Sequence, residues 1–337
     1  MKISQLLLAS TLLLLGVGCA SATQTPVSNA PAPVIAPSTT APTAAIVAPT
    51  TVAVSPVAYA PPSGADTASG VETPGRRRLM TATSKDGLAW TRTNAVITDQ
   101  ANVPDLLMAA DGTLYLYFSG WTVGTKQNAM GVAVSKDQAK TWTFYGVEFS
   151  GSRTMEHSGD PDIVQLADGT FRMYSTSGLP GGGGTAIYYS EGTDGIHFDT
   201  KGIAFQADPP ALDSNTYLVG STWRMVTLSG QSMQSYDATS ADGKTFVKAS
   251  LTPYAIDGKP TVMSNVLSFD GGYRMYGFRR GDIRSFFSTD GISWKAETGI
   301  RLSLDEATGL ESEYVKDPAV IQLNDGTYLM VYVTQIP

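Results

Sequence analysis

The sequence predicts an all-β domain built from a fivefold repeat that its own two ends close into a ring. Three observations carry this. A turn led by Ser and Asp recurs five times, a proline-led pair of apolar strands recurs five times in a second phase, and the last strand pair has nothing after it to pair with. The composition agrees: Gly 34, Pro 19 and Tyr 15 in 337 residues, with little sustained helical periodicity, belong to a turn-rich β protein.

The chain starts with a segment of another kind. Met1 to Gly18 carries a basic Lys2, an apolar run from Leu6 to Val17 and small residues at its end. This pattern is a secretory signal, too short for an ordinary membrane-spanning helix. Cys19 is the only cysteine, which excludes an intramolecular disulfide. Its place after Gly16-Val17-Gly18 resembles the lipobox of bacterial lipoproteins, with Gly16 where those proteins usually carry Leu. The resemblance implies lipidation of Cys19 and, with Ala20 next, an anchored protein at the outer membrane or cell surface; plain secretion is the alternative. Residues 20–75 form an Ala/Pro/Thr-rich stretch whose prolines forbid a continuous helix or paired strand, so a disordered linker is expected up to the Arg76-Arg77-Arg78 cluster. The folded domain then spans 76–337. The formal charge of -7 argues against nucleic acid as a partner and leaves a neutral carbohydrate open.

The turn phase begins with Ser84-Lys85-Asp86-Gly87-Leu88-Ala89-Trp90. It returns at Ser135-Lys136-Asp137 with Trp142, at Ser190 with Asp194-Gly195 and Phe198, at Ser240 with Asp242-Gly243 and Phe246, and at Ser288 with Asp290-Gly291 and Trp294. In such a turn the Asp accepts amides, Gly, where it follows the Asp, supplies the positive φ, and the aromatic plugs the space between sheets. The strand phase starts at Pro104, Pro161, Pro210, Pro260 and Pro318. Each proline leads an apolar run, and all but the third run reach an Asp-Gly turn and an alternating strand, as in Asp168-Gly169 and Phe171-Arg172-Met173-Tyr174. In the third copy Thr222-Trp223-Arg224-Met225-Val226 takes the place of that second strand.

Combining the phases gives four complete four-stranded units, over about 104–149, 161–205, 210–254 and 260–300. The turn hairpin at about 79–97 and the final pair from Asp317 to Val333 supply a fifth. The expected fold is a five-bladed β-propeller whose N- and C-terminal strands share one blade.

The loops before each proline then share one face with the loops between second and third strands, around the central channel. Rim candidates are Asp105 and Trp121, then Arg153, Glu156, His157, Asp160 and Asp162, the Gly181–Gly184 run, Asp208 and Asp213. Arg279, Arg280, Asp282 and Arg284 follow, and Glu311, Glu313 and Asp317 close the set. Trp121 is placed to stack on a sugar face, and Arg279 and Arg280 to hold an anionic group. His157, with one other His in the chain, does not make a transition-metal site. No cofactor is required, although a Ca²⁺ among channel carboxylates is left open. Arg172, Arg224 and Arg274 occupy equivalent strand positions and read as struts between blades.

The turns resemble the Asp-box of sialidases and other propellers, where this feature lies away from the active site. Asp160-Pro161-Asp162-Ile163-Val164 and Asp317-Pro318-Ala319-Val320-Ile321, each followed by Asp-Gly-Thr, resemble the inner-strand motif of five-bladed glycosidases: the arabinanase, xylosidase, invertase and levansucrase group. The resemblance covers about residues 79–333. It implies three carboxylates at inner-strand starts, with Asp105 as base or nucleophile, Asp160 as modulator of the acid and Glu313 as the acid. His157, Asp162, Asp317, Trp121, Arg279 and Arg280 would contact the sugar. The departures are Val103 before Pro104, where the motif has Asp, and the lack of a Glu at the inner strands of blades 3 and 4. Two functions follow from the sequence: hydrolysis of a carbohydrate, or its binding by a surface module that has lost a carboxylate.

Overall fold

The structure is a computed structural model that describes residues 56–66, 73–123, 126–151, 155, 158–279 and 281–337. Cys19, Arg153, Glu156, His157 and Arg280 lie outside the described residues. Within them the chain forms five antiparallel sheets arranged as the blades of a propeller. From the axis outward, blade I consists of Asn102–Met108, Leu114–Val123, Lys126–Ser135 and Thr143–Gly146. Blade II is Gly159–Gln165, Phe171–Gly178, Thr185–Gly192 and His197–Phe205, and blade III is Ala211–Val219, Thr222–Ser229, Ser235–Ser240 and Val247–Thr252. Blade IV is Val262–Phe269, Gly272–Arg279, Asp282–Ser288 and Lys295–Ala296. Each inner strand touches the inner strands on either side, so the ring is complete.

Blade V joins the two ends of the domain. Its order is Ser312–Gln322, Tyr328–Gln335, Arg77–Ser84 and Trp90–Asp99. The junction runs without a register shift from Arg77↔Gln335 to Ser84↔Tyr328. Met330, Val331, Tyr332 and Val333 are buried there with Leu79, Met80 and Ala82. The ring therefore closes through an uninterrupted antiparallel ladder over a dry core. Short strands decorate the edges: Ala58–Tyr59 pairs with Thr143–Gly146, and Glu148–Gly151 runs parallel to His197–Phe205.

The five principal cores lie between blades. Leu116 and Phe118 face blade V, packing with Val331 and Val333, while Tyr117 on the other face packs with Met173 and Phe198 of blade II. Strand alternation thus feeds both seams from a single strand. At about 1.5–3 kcal/mol for each fully buried large apolar side chain, these seams supply most of the cohesion.

The Asp-Gly turns then pin four of the five seams. Asp86 accepts the amides of Leu88 (2.8 Å) and Ala89 (2.9 Å), and Ser84 Oγ accepts that of Gly87 (2.9 Å). With its turn amides occupied, Gly87 turns its carbonyl to the Tyr276 hydroxyl of blade IV at 2.8 Å. The same bond joins Tyr117 to Gly195 (2.8 Å), Tyr174 to Gly243 (2.6 Å) and Tyr217 to Gly291 (3.0 Å). Gly87 has φ +70°, and a Cβ there would come within 2.6 Å of Arg274 Nη1, so this turn admits only glycine without a shift.

Two strand starts differ from expectation. In blades I, II and V the proline directly follows a bulge in the inner strand, but in blades III and IV that position is Ser214 and Ser264. Pro210 and Pro260 lie four residues earlier, and Pro260 belongs to a small hairpin of Ala255–Ile256 with Lys259–Pro260. Proline marked strand entry only where the bulge leaves an amide without a ladder partner.

Tyr174→Phe should lower the melting temperature by roughly 2–5 °C while leaving one cooperative transition, because it removes one buried hydrogen bond worth about 1–1.5 kcal/mol. Ending the chain at Gln322 removes the strand that links both halves of blade V, and calorimetry should then show no single cooperative transition. A cooperative melt of the shortened chain would refute closure by these ends as a stability requirement.

Candidate functional site

The inner-strand bulges decide what faces the axis. Val103, Asp160, Asp213 and Asp317 adopt positive φ, between +47° and +55°. This backbone is uncommon for any residue with a Cβ and best tolerated by Asp and Asn, so Val103 is the most strained of the four. Aligned on the bulge, Val103, Asp160, Asp213, Met263 and Asp317 occupy one level of the channel. Two residues further along each strand come Asp105, Asp162, Asn215, Asn265 and Ala319.

The first level forms a narrow recess of roughly 20 Å³ lined by Asp160, Asp213 and Asp317 together with Pro104, Pro161, Ser214, Val262 and Met263. Hydroxyls of the neighbouring blades fix the backbone here: the Asp160 amide donates to Ser119 Oγ (3.0 Å) and the Asp213 amide to Thr176 Oγ1 (3.1 Å). Burial, then the charges of Asp160 and Asp317, push the Asp213 carboxyl well above the usual carboxylate range. Burial also raises Asp160, but the Thr176 hydroxyl and a hydrogen bond from Asp213 oppose the rise. Burial and repulsion among the acids thus raise both carboxyls, Asp213 the further, which favours one proton held between them. Asp317 is 7% exposed and ion-paired to Lys316 Nζ at 2.6 Å.

The second level has a different use. Asp105 Oδ2 accepts the Ile163 amide of blade II at 2.8 Å. Asp162 accepts the Thr216 amide of blade III (3.2 Å) and its hydroxyl (2.7 Å). Asn215 Nδ2 reaches the Met263 carbonyl of blade IV (3.4 Å). These side chains link successive inner strands across edges that have no backbone ladder. Burial, reinforced by Asp162, holds the Asp105 carboxyl well above its ordinary value, and burial raises Asp162 to about 6. A separate recess of roughly 60 Å³ is lined by Asp105, Asp162, Asn215, Thr216 and Asn265.

The residues expected to act together are thus divided. Asp160 and Asp317 share the first recess, Asp105 and Asp162 line the second, and Glu313 is exposed on a positive-φ bend and lines neither. Glu311 is a buried structural acid, bound to Arg92 (2.6 Å) and the Tyr332 hydroxyl (2.6 Å). Trp121 is not a rim residue. It is 1% exposed, its Nε1 donates to Thr98 Oγ1 (3.1 Å), and it packs between Phe118 and Phe144. The strand Leu114–Val123 continues past the expected loop and turns the indole into the seam with blade V. Arg279 is clamped by Asp282 (3.2 and 3.1 Å) and lines a hollow of roughly 370 Å³ with Arg77, Tyr314 and Lys316, which shares Val262 with the acidic recess. The side chain that sequence reasoning left unpaired with Asp160 is Asp213. Its signal was present in the alignment of Asp213-Ser214-Asn215-Thr216 with Asp160-Pro161-Asp162-Ile163, once Pro210 is set aside.

Among the described residues, no group of three or more His, Cys, Asp or Glu is placed to hold a metal ion. No family model matches the chain, and no curated protein matches it in sequence. Solved structures do match in fold. A thermostable family-43 glycoside hydrolase superposes with a TM-score of 0.53 at 14% identity, over 70% of this chain and 88% of that one. A glycosyl hydrolase from Bacteroides ovatus gives 0.53 at 12% identity, over 71% and 88%. The protein has the five-bladed propeller fold of glycoside hydrolases.

Asp162 makes stability pH-dependent in a defined direction. Its folded value of about 6 lies above the ordinary 3.8, so between these limits the folded state keeps a proton that the unfolded chain has lost. Stability should fall as pH rises from about 4 to about 6, by on the order of 2 kcal/mol from this residue. Asp162→Asn copies Asn215 and Asn265 and retains an acceptor for Thr216. Urea unfolding at pH 4.5 and 7 should show a reduced slope and higher stability at pH 7; an unchanged slope would contradict the assignment.

Proposed function

We propose that the protein is a glycoside hydrolase whose reacting groups are Asp213, Asp160 and Asp317. Asp213, protonated by its surroundings, donates to the departing glycosidic oxygen. Asp160 accepts the Asp213 hydrogen bond and keeps that proton in place until transfer. Asp317, charge-compensated by Lys316, serves as base or nucleophile on the sugar. The observation that carries the reading is that three carboxyl groups, from blades II, III and V, line one recess, where burial raises two of them, Asp160 and Asp213. The fold, shared with solved glycoside hydrolases, supports this reading.

The test is hydrolysis by the purified protein across arabinan, xylan, fructan and sialoside substrates. Turnover is expected on at least one class, falling at high pH as Asp213 loses its proton. Asp213→Asn should reduce it by about 10²–10⁴-fold while leaving glycan binding intact. Val103 at the blade I position, where its counterparts in blades II, III and V are acids, favours a second reading, a glycan-binding module without catalysis. Binding without turnover on every substrate would select that reading.

We also propose, from the sequence of residues 1–19 alone, that the chain is exported and carried on a lipid at Cys19. Radiolabelled palmitate fed to an expressing bacterium should label the protein, and Cys19→Ser should abolish the label and release the protein from the membrane fraction. Persistence of the label in Cys19→Ser would refute the anchor.

A further inference from the structure

Blades II, III and IV carry an arginine at the same place in the second strand, and one of the three is built differently. Arg172 is clamped by Glu191 (3.0 and 2.7 Å) and donates to the Asp242 carbonyl in the turn of the next blade (2.8 Å). Arg274 repeats the design with Glu297 (2.8 and 3.2 Å) and the Asp86 carbonyl (3.1 Å). Arg224 has neither. The residue across from it is Thr239, where Arg172 faces Glu191. The turn it would reach is met instead by Tyr217 from the inner strand, because Val226 stands where blades II and IV have Tyr174 and Tyr276. The Nε of Arg224 is buried and has no hydrogen-bond partner. Its positive charge acts on Tyr217, where it offsets part of the rise caused by burial.

Arg224 opens on a cleft of roughly 380 Å³ between blades III and IV. Arg224 and Asp237 line it, with Tyr254, Phe286 and the half-buried Trp294 as aromatic walls. Asp237 is already satisfied by the hydroxyls of Tyr254 (3.0 Å), Ser250 (2.9 Å) and Thr252. The Tyr217 hydroxyl engages the Arg224 guanidinium from the inner strand, and Nε–H is the donor left without a partner. A nearby fixed carboxylate disfavours a dianion, and a guanidinium fork matches a carboxylate in geometry. The aromatic walls and the hydroxyl-lined floor suit a ring that bears hydroxyl groups.

We propose that this seam is a second binding site, separate from the acidic recess, for a small hydroxylated carboxylate of the sugar-acid class held by Arg224. The probe is sodium D-glucuronate, added to the full-length protein labelled with ¹⁵N-arginine. The Arg224 Nε–H resonance is assigned by its loss in Arg224→Lys. It should shift saturably with glucuronate and stay in place with methyl β-D-glucoside. Thr239→Glu restores the acid that Arg172 has, so it should close the site and weaken glucuronate binding about tenfold or more. No shift with glucuronate, an equal shift with acetate or inorganic phosphate, or unaltered binding in Thr239→Glu would each overturn the proposal. Because the readout is binding at Arg224, it is independent of whether the acidic recess hydrolyses anything.

Discussion

The structure depends on how five inward strand edges are satisfied around a narrow axis. Each inner strand has a ladder on one side only, and the other edge meets its counterparts where there is little room for water. A buried amide without a partner costs on the order of 1–3 kcal/mol. The chain meets this demand with side chains: Asp105 takes the Ile163 amide, Asp162 takes Thr216, and Ser119 and Thr176 take the amides of Asp160 and Asp213. Acids in the channel are thus in part a structural necessity. Their raised proton affinity follows from the same burial. A carboxyl that must sit near the axis for backbone reasons is already halfway to being a proton donor.

This separates the two levels of the channel. On the second level each acid spends its lone pairs on a neighbouring strand. On the first level Asp160 and Asp213 have their backbones fixed by hydroxyls, so their carboxyls remain turned to the recess and to each other. Only the first level combines acids with freedom to exchange a proton with a ligand. The positive φ at Asp160, Asp213 and Asp317 is what aims these side chains there, a local strain that the surrounding ladders sustain.

The fold was legible because its strongest signals are local. A Ser-x-Asp turn contains its own hydrogen-bond partners within a few residues, so five copies announce five blades, and counting the two phases assigned the closing blade correctly. The candidate site was less legible because bulge positions are defined by register across strands. Proline stood in for the bulge in three blades, and at Pro210 and Pro260 it misplaced the phase by four residues. That offset hid the equivalence of Asp213 with Asp160. Trp121 misled for a related reason: strand length past a bulge is set by the partner strand, which the sequence of Leu114–Val123 alone does not reveal. Arg172 and Arg274 were readable as struts, since each falls opposite or near an acid on the adjoining strands.

Blade III shows how far one repeat can drift while the ring still closes. It has no proline at its bulge, no tyrosine two residues after its arginine and no acid across from that arginine, yet Tyr217 restores the bond to the next turn from another strand. In a propeller each blade meets only two neighbours, so a loss at one seam is repaired at that seam or not at all. The repair conserved the turn contact and left the guanidinium of Arg224 without its clamp. The blade that drifted most also supplies Asp213, the group held most firmly protonated in the first recess. Blade III thus combines the greatest departure from the repeat at its outer seam with an acid at its inner-strand bulge.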